Sequence, residues 1–150
     1  YFNTGGYYMD QNLKRELILE HYQHPKNKGL IDDESYIKVN MNNESCIDEV
    51  NLMVKIEDGI IKDIRFDGEA CAICTSATSI MIDTLIGKSL DEVKEIYDNY
   101  NNMIDEKDYN PNILEQANAY DDIYKQPNRK KCALLPWWGI EKILKQLKQK

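Results

Sequence analysis

The run Val50-Asn51-Leu52-Met53-Val54-Lys55-Ile56-Glu57-Asp58-Gly59-Ile60-Ile61-Lys62-Asp63-Ile64-Arg65-Phe66 decides the fold. Val50, Leu52, Val54 and Ile56 fall at every second position, and Ile60, Ile64 and Phe66 resume that period after Asp58-Gly59, as half-buried strands do. Asp-Gly between two such runs predicts a hairpin, because both residues tolerate the positive φ of a type I′ turn. Upstream, Ile37, Val39 and Met41 alternate in the same way, so the reading is a three-stranded antiparallel meander. In an antiparallel pair the start of the second strand lies beside the end of the third. The polar connection Asn42 to Glu49, with Cys46 and Asp48, is thereby brought next to Gly68 and Cys71.

Outside the meander the period changes to that of helices. Leu13, Leu17, Ile18 and His21 mark a helix from Asp10 to about Gln23, ended by the Pro25 to Gly29 region. After Gly68, residues Ile73, Ala77, Ile80, Met81, Thr84 and Leu85 trace one helical face as far as Gly87. Ser89-Leu90-Asp91-Glu92 is a capping box that opens a third helix. Beyond a polar link from Asn101 to Asn112, Ile113, Leu114, Ala117, Tyr120, Ile123 and Tyr124 predict another amphipathic helix, halted before Pro127. The last helix is expected just after Cys132, with Pro136 in its first turn and Trp137, Ile140, Ile143, Leu144 and Leu147 buried. The fold class is therefore α+β, a three-stranded antiparallel sheet covered by helices. Residues 9–150 form one domain, and 1–8 are set aside as an expression remnant or disordered lead.

With 150 residues, 42% of them hydrophobic, the chain can build one core. It contains no run of about eighteen apolar residues and no export signal, so a cytoplasmic protein without a membrane partner is expected. A net charge of -7 argues against nucleic acid as a partner. The basic residues gather late, at Arg129, Lys130 and Lys131 and then at Lys142, Lys145, Lys148 and Lys150, while acids dominate from Asp91 to Asp122. Such a run is either a solvated helix face or a docking patch for an acidic protein partner.

Four cysteines without an export signal point to metal ligands or reactive thiols rather than disulfides. Cys71 and Cys132 are expected at helix starts, where free amides and the macrodipole favour a thiolate. Cys46 and Asp48, two apart in an extended loop, point the same way, and three thiolates with one carboxylate make an acceptable zinc set. Cys71-Ala72-Ile73-Cys74 read as a redox pair needs a βαβ context that the meander does not provide. Cys74 is either a small buried hydrophobe or a fourth or alternative ligand. The two histidines, His21 and His24, read as helix-end or packing residues.

These residues resemble the U-type iron–sulfur cluster assembly proteins, the group comprising IscU, the NifU amino-terminal domain and SufU, from about Leu13 to Lys148. The carriers are Glu20-His21-Tyr22-Gln23-His24-Pro25-Lys26-Asn27-Lys28-Gly29, Asn42-Asn43-Glu44-Ser45-Cys46-Ile47-Asp48, Phe66-Asp67-Gly68-Glu69-Ala70-Cys71 and Arg129-Lys130-Lys131-Cys132-Ala133-Leu134. The long acidic segment between Cys71 and Cys132, and Lys131 where IscU-like members have histidine, match the SufU type. That resemblance implies zinc held by Cys46, Asp48, Cys71 and Cys132, with Cys46 accepting sulfur from a SufS-like cysteine desulfurase. The sulfur would then pass towards apoproteins or a downstream scaffold. Ile47 stands where the family has glycine, and Cys74 where relatives have a small residue such as serine, so Asp48 and Cys74 are rivals for the fourth ligand. Two other activities fit the same thiols: a scaffold for iron or a [2Fe-2S] cluster, and a structural zinc module that holds partners together. The partner-docking residues expected are Arg129, Lys130 and Lys131.

Overall fold

The structure, a computed structural model, describes residues 9–42 and 48–148. The lead 1–8, Cys46 and Ile47 lie outside the described residues.

Strands β1 (Ile37–Asn42), β2 (Glu49–Glu57) and β3 (Ile60–Asp67) pair antiparallel in the order β1-β2-β3. Val39, Leu52 and Phe66 stand in one row across the sheet, and all three are buried together with Val50, Val54 and Ile64. At the hairpin Asp58 and Gly59 have φ of 55° and 73°, the pair of positive angles a type I′ turn requires. Past helix α1 (Gln11–Gln23) the chain returns along the outer edge of β3. Gly29 donates its N–H to the Phe66 carbonyl at 2.6 Å, and the Asn27 carbonyl accepts the Phe66 N–H at 3.2 Å.

Helix α2 (Ala72–Leu85) is the centre of the molecule, with 11 of its 14 residues buried. Its hydroxyls must therefore find partners inside the protein. Thr78 and Thr84 donate to carbonyls one turn back, each at 2.8 Å, and Ser76 Oγ lies 2.7 Å from the Tyr120 hydroxyl. Ser79 Oγ accepts the Lys26 N–H and sits 2.7 Å from His21 Nδ1, while His21 Nε2 is 2.7 Å from Gln116 Oε1. His21 is thus the packing residue expected, tying α1 to α2.

Helix α3 (Leu90–Ile104) starts at the predicted capping box, with both Ser89–Glu92 bonds present. It meets α4 (Pro127–Lys148) through the Tyr100 ring, stacked on Trp137 at 4.3 Å between centroids. Gly139 lets α4 lie close on the sheet, since a Cβ there would come within 2.6 Å of Leu52 Cδ1 and 3.1 Å of Met41 Cγ. Among the described residues no helix is long and apolar enough to cross a membrane.

Two expectations are corrected. First, α4 begins at Pro127 and not after Cys132. Proline suits a first helical position, where an amide would have no partner, and the charged residues 129–131 belong to the first turns of the helix. Pro136 is consequently inside the helix, with no N–H to bond the Cys132 carbonyl four residues back. Second, the segment expected as an amphipathic helix over 113–124 is a chain of 3₁₀ turns, Pro111–Ile113, Glu115–Tyr120 and Ile123–Lys125. Leu114, Ala117, Tyr120 and Ile123 are all buried and are spaced by three, which fits three residues per turn rather than 3.6. Glu115, at a φ of 48°, also interrupts any continuous α-helix.

Candidate metal centre

Asp48, Cys71 and Cys132 converge beside the first turn of α2. One ligand atom from each lies within 4.8 Å of the others. The meander causes the first half of this meeting, since Asn51 pairs with Asp67 and the pairing continues past the strands through Glu49 N–H to the Glu69 carbonyl at 2.7 Å. Asp48 then turns in, and its Oδ1 accepts the Cys71 N–H at 2.7 Å. Gly68 makes the approach possible. Its φ is 133°, and a Cβ built on it would lie 2.1 Å from the Glu49 carbonyl oxygen.

Cys71 caps α2, as expected for a helix start, and its Sγ accepts the Cys74 N–H at 3.4 Å. Cys132 does not cap α4. It lies in the second turn and is buried, so the helix-terminus argument for its thiolate fails. Burial pushes the Cys132 thiol up, and the Asp48 carboxylate and Cys71 beside it push it further in the same direction. The proton is therefore held on this sulfur until a cation replaces it.

The donors suit zinc. A tetrahedral ion with usual bond lengths separates a sulfur from an oxygen ligand by about 3.5 Å, and Cys71 Sγ lies 3.6 Å from Asp48 Oδ2. Two thiols and a carboxylate, with Asp48 only 1% exposed and Cys132 only 4%, form a set that a divalent ion would neutralise. Cys74 is outside this trio and fully buried within α2. Cys46, the remaining expected ligand, is two residues before Asp48 in the sequence.

Of the expected docking residues, Arg129 and Lys131 are exposed, whereas Lys130 Nζ is 3.6 Å from Asp105 Oδ1. Arg129 precedes Cys132 by three residues and so lies one turn further out on the same side of α4. Sequence reasoning placed Tyr120 on an apolar face but not its partner: its hydroxyl reaches Ser76 of α2 from the 3₁₀ segment. No local signal could have found that contact, since the two residues are 44 apart in the chain.

The family described as NifU-like N terminal domain matches residues 13–133. The Bacillus subtilis (strain 168) protein named zinc-dependent sulfurtransferase SufU is 35% identical over 131 residues, spanning 87% of this chain and 88% of its own length. The iron–sulfur cluster assembly scaffold protein IscU of Thermotoga maritima is 31% identical over 132 residues, spanning 88% and 92%. A crystal structure of a candidate iron–sulfur cluster assembly scaffold protein for the SUF system, from Fervidobacterium islandicum AW-1, matches with a TM-score of 0.80 at 34% identity. That match covers 84% of this chain and 92% of the other. The family match takes in the whole sheet, α2 and Cys132, and these relatives are similar over most of their length: the chain belongs to the NifU-like N-terminal domain family.

Proposed function

We propose that the chain serves iron–sulfur cluster assembly by accepting sulfur from a cysteine desulfurase at a zinc site made of Cys46, Asp48, Cys71 and Cys132. The observation that carries this is the meeting of Asp48, Cys71 and Cys132 at ligand spacing in a largely buried position. The zinc-dependent sulfurtransferase among the relatives gives it its chemistry. Bound zinc supplies positive charge that keeps cysteine sulfur deprotonated and nucleophilic.

The chain's own residues account for the remaining steps. Cys46 is the acceptor, and its thiolate attacks the outer sulfur of the desulfurase persulfide. A new S–S bond forms on Cys46, the donor's S–S bond breaks, and the electron pair and a proton go to the donor thiol. Cys71 and Cys132 stay on helices, and the Asp48 carboxylate is held in the site by its bond to the Cys71 amide. Exposed Arg129 and Lys131 guide an acidic desulfurase surface to this side of α4.

The IscU scaffold relatives favour a second reading, in which the same thiols hold a [2Fe-2S] cluster. Metal analysis with a visible spectrum of protein prepared without added metal separates the two. About one zinc per chain and no visible absorption is expected for a four-ligand zinc site. Iron with sulfide and absorption in the visible would replace it with the scaffold reading.

A further inference from the structure

Cys71 and Cys74 occupy the capping position and the third position of α2. In a capping box, as with Ser89 and Glu92 at the start of α3, the side chain at each of these two places reaches the backbone N–H of the other, so the two residues are neighbours across the first turn. At α2 both of them end in sulfur. Cys71 Sγ already accepts the Cys74 N–H at 3.4 Å. The two residues differ in access, for Cys71 is partly exposed and Cys74 is fully buried.

We propose that Cys71 and Cys74 are a peroxide-oxidisable dithiol whose closure to a disulfide takes Cys71 out of the metal site. Hydrogen peroxide meets Cys71 before Cys74 because Cys71 is the partly exposed residue of the two. The Cys71 sulfur attacks one peroxide oxygen, the O–O bond breaks, and a sulfenic acid and one water result. The Cys74 sulfur then attacks the Cys71 sulfur from the protein side, the S–O bond breaks, and the hydroxyl leaves with the Cys74 proton as a second water. Two thiols are oxidised and one peroxide is reduced to two waters, and an added dithiol reverses the change.

The dithiol stands independently of the function proposed above, whereas its effect on metal rests on that reading, so the test has two arms. In the first, the metal-stripped chain is treated with one equivalent of hydrogen peroxide, blocked with N-ethylmaleimide and digested with trypsin. The peptide Phe66–Lys88, which contains Cys71 and Cys74 but neither Cys46 nor Cys132, is expected unlabelled and two hydrogens lighter. Cys74→Ser should lose that product and give a dimedone adduct on Cys71. A parent peptide labelled at both cysteines, or carrying Cys71 sulfinic acid with Cys74 labelled, would overturn the proposal. In the second arm, zinc uptake is measured with a chromophoric chelator before oxidation, after it and after dithiothreitol. A loss of at least tenfold that the dithiol restores is expected. Undiminished uptake by protein whose disulfide has been mapped would overturn the claim that Cys71 leaves the site. Failure of the fully reduced chain to take zinc would instead count against the zinc reading, with the disulfide still decided by the first arm.

Discussion

Replacing Gly68 by alanine should damage the fold and the metal site together. The new Cβ would meet the Glu49 carbonyl oxygen at 2.1 Å and its carbon at 3.0 Å. The first distance is roughly 1 Å inside ordinary contact, and the atoms are backbone, so no rotamer change relieves it. The start of β2 must move away, breaking the bond from Glu49 N–H to Glu69 carbonyl, which is worth about 1 kcal/mol. A side chain at a φ of 133° adds about 1–3 kcal/mol of backbone strain. The total, about 2–4 kcal/mol, corresponds to a fall in Tm of roughly 5–15 °C for a chain of this size. Asp48 moves with the strand, so zinc affinity should drop about tenfold or more. Gly87 is the control. Its φ is also positive, at 89°, but a Cβ there meets nothing within 4 Å, so Gly87→Ala bears strain alone, about 1–2 kcal/mol. Thermal melts followed by circular dichroism on metal-free protein, with zinc competition against a chelator, measure both effects. If Gly68→Ala melts with Gly87→Ala and binds zinc like the parent, the account of how the site is assembled is wrong.

Four further outcomes are expected. Cys132→Ala should lose most of the zinc while keeping the fold, and full retention by elemental analysis would remove Cys132 from the site. Stimulation of a SufS-like desulfurase should weaken from low to high salt, and Arg129→Glu should weaken it at low salt; insensitivity to both would argue against electrostatic docking. Tyr100→Phe removes a buried bond to the Ala133 carbonyl of 2.8 Å and should cost about 1 kcal/mol in urea melts, with the Trp137 stack intact. Lys14→Met strips Asp121 and Asp122 of the buried amine that sits 2.5 and 3.0 Å away, for a loss of about 1–3 kcal/mol after allowing for the partial exposure of both carboxylates. Burial pulls the Lys14 amine down, but its bonds to both carboxylates raise it above 10.5 on balance. Its stabilisation is therefore complete below pH 10.5 and lost as pH rises through the raised value, so melts of parent and variant should converge in strong alkali.

Much of this architecture could be read in advance because its signals are local. Alternation fixed the three strands, Asp58-Gly59 fixed the hairpin, and antiparallel pairing alone brought Asp48 to Cys71. The start of α4 was not legible, because residues 129–131 are all basic and carry no apolar period, although Pro127 suits a first helical turn. For the same reason Cys132 was assigned a cap's electrostatics when it is a buried residue of the second turn. The 3₁₀ segment showed its three-residue spacing, which a search for a 3.6-residue period blurs. The sequence left Cys74 open between a small buried hydrophobe and a ligand, and its full burial within α2 agrees with the first of these.

The most direct test follows sulfur onto the chain. Zinc-loaded protein is incubated with a SufS-like cysteine desulfurase and L-cysteine, alkylated, digested with trypsin and mapped by mass spectrometry. One added sulfur is expected on the peptide Val39–Lys55, which contains Cys46. Sulfur found only on Phe66–Lys88 or Cys132–Lys142, or on no peptide while the desulfurase turns over, would contradict the account.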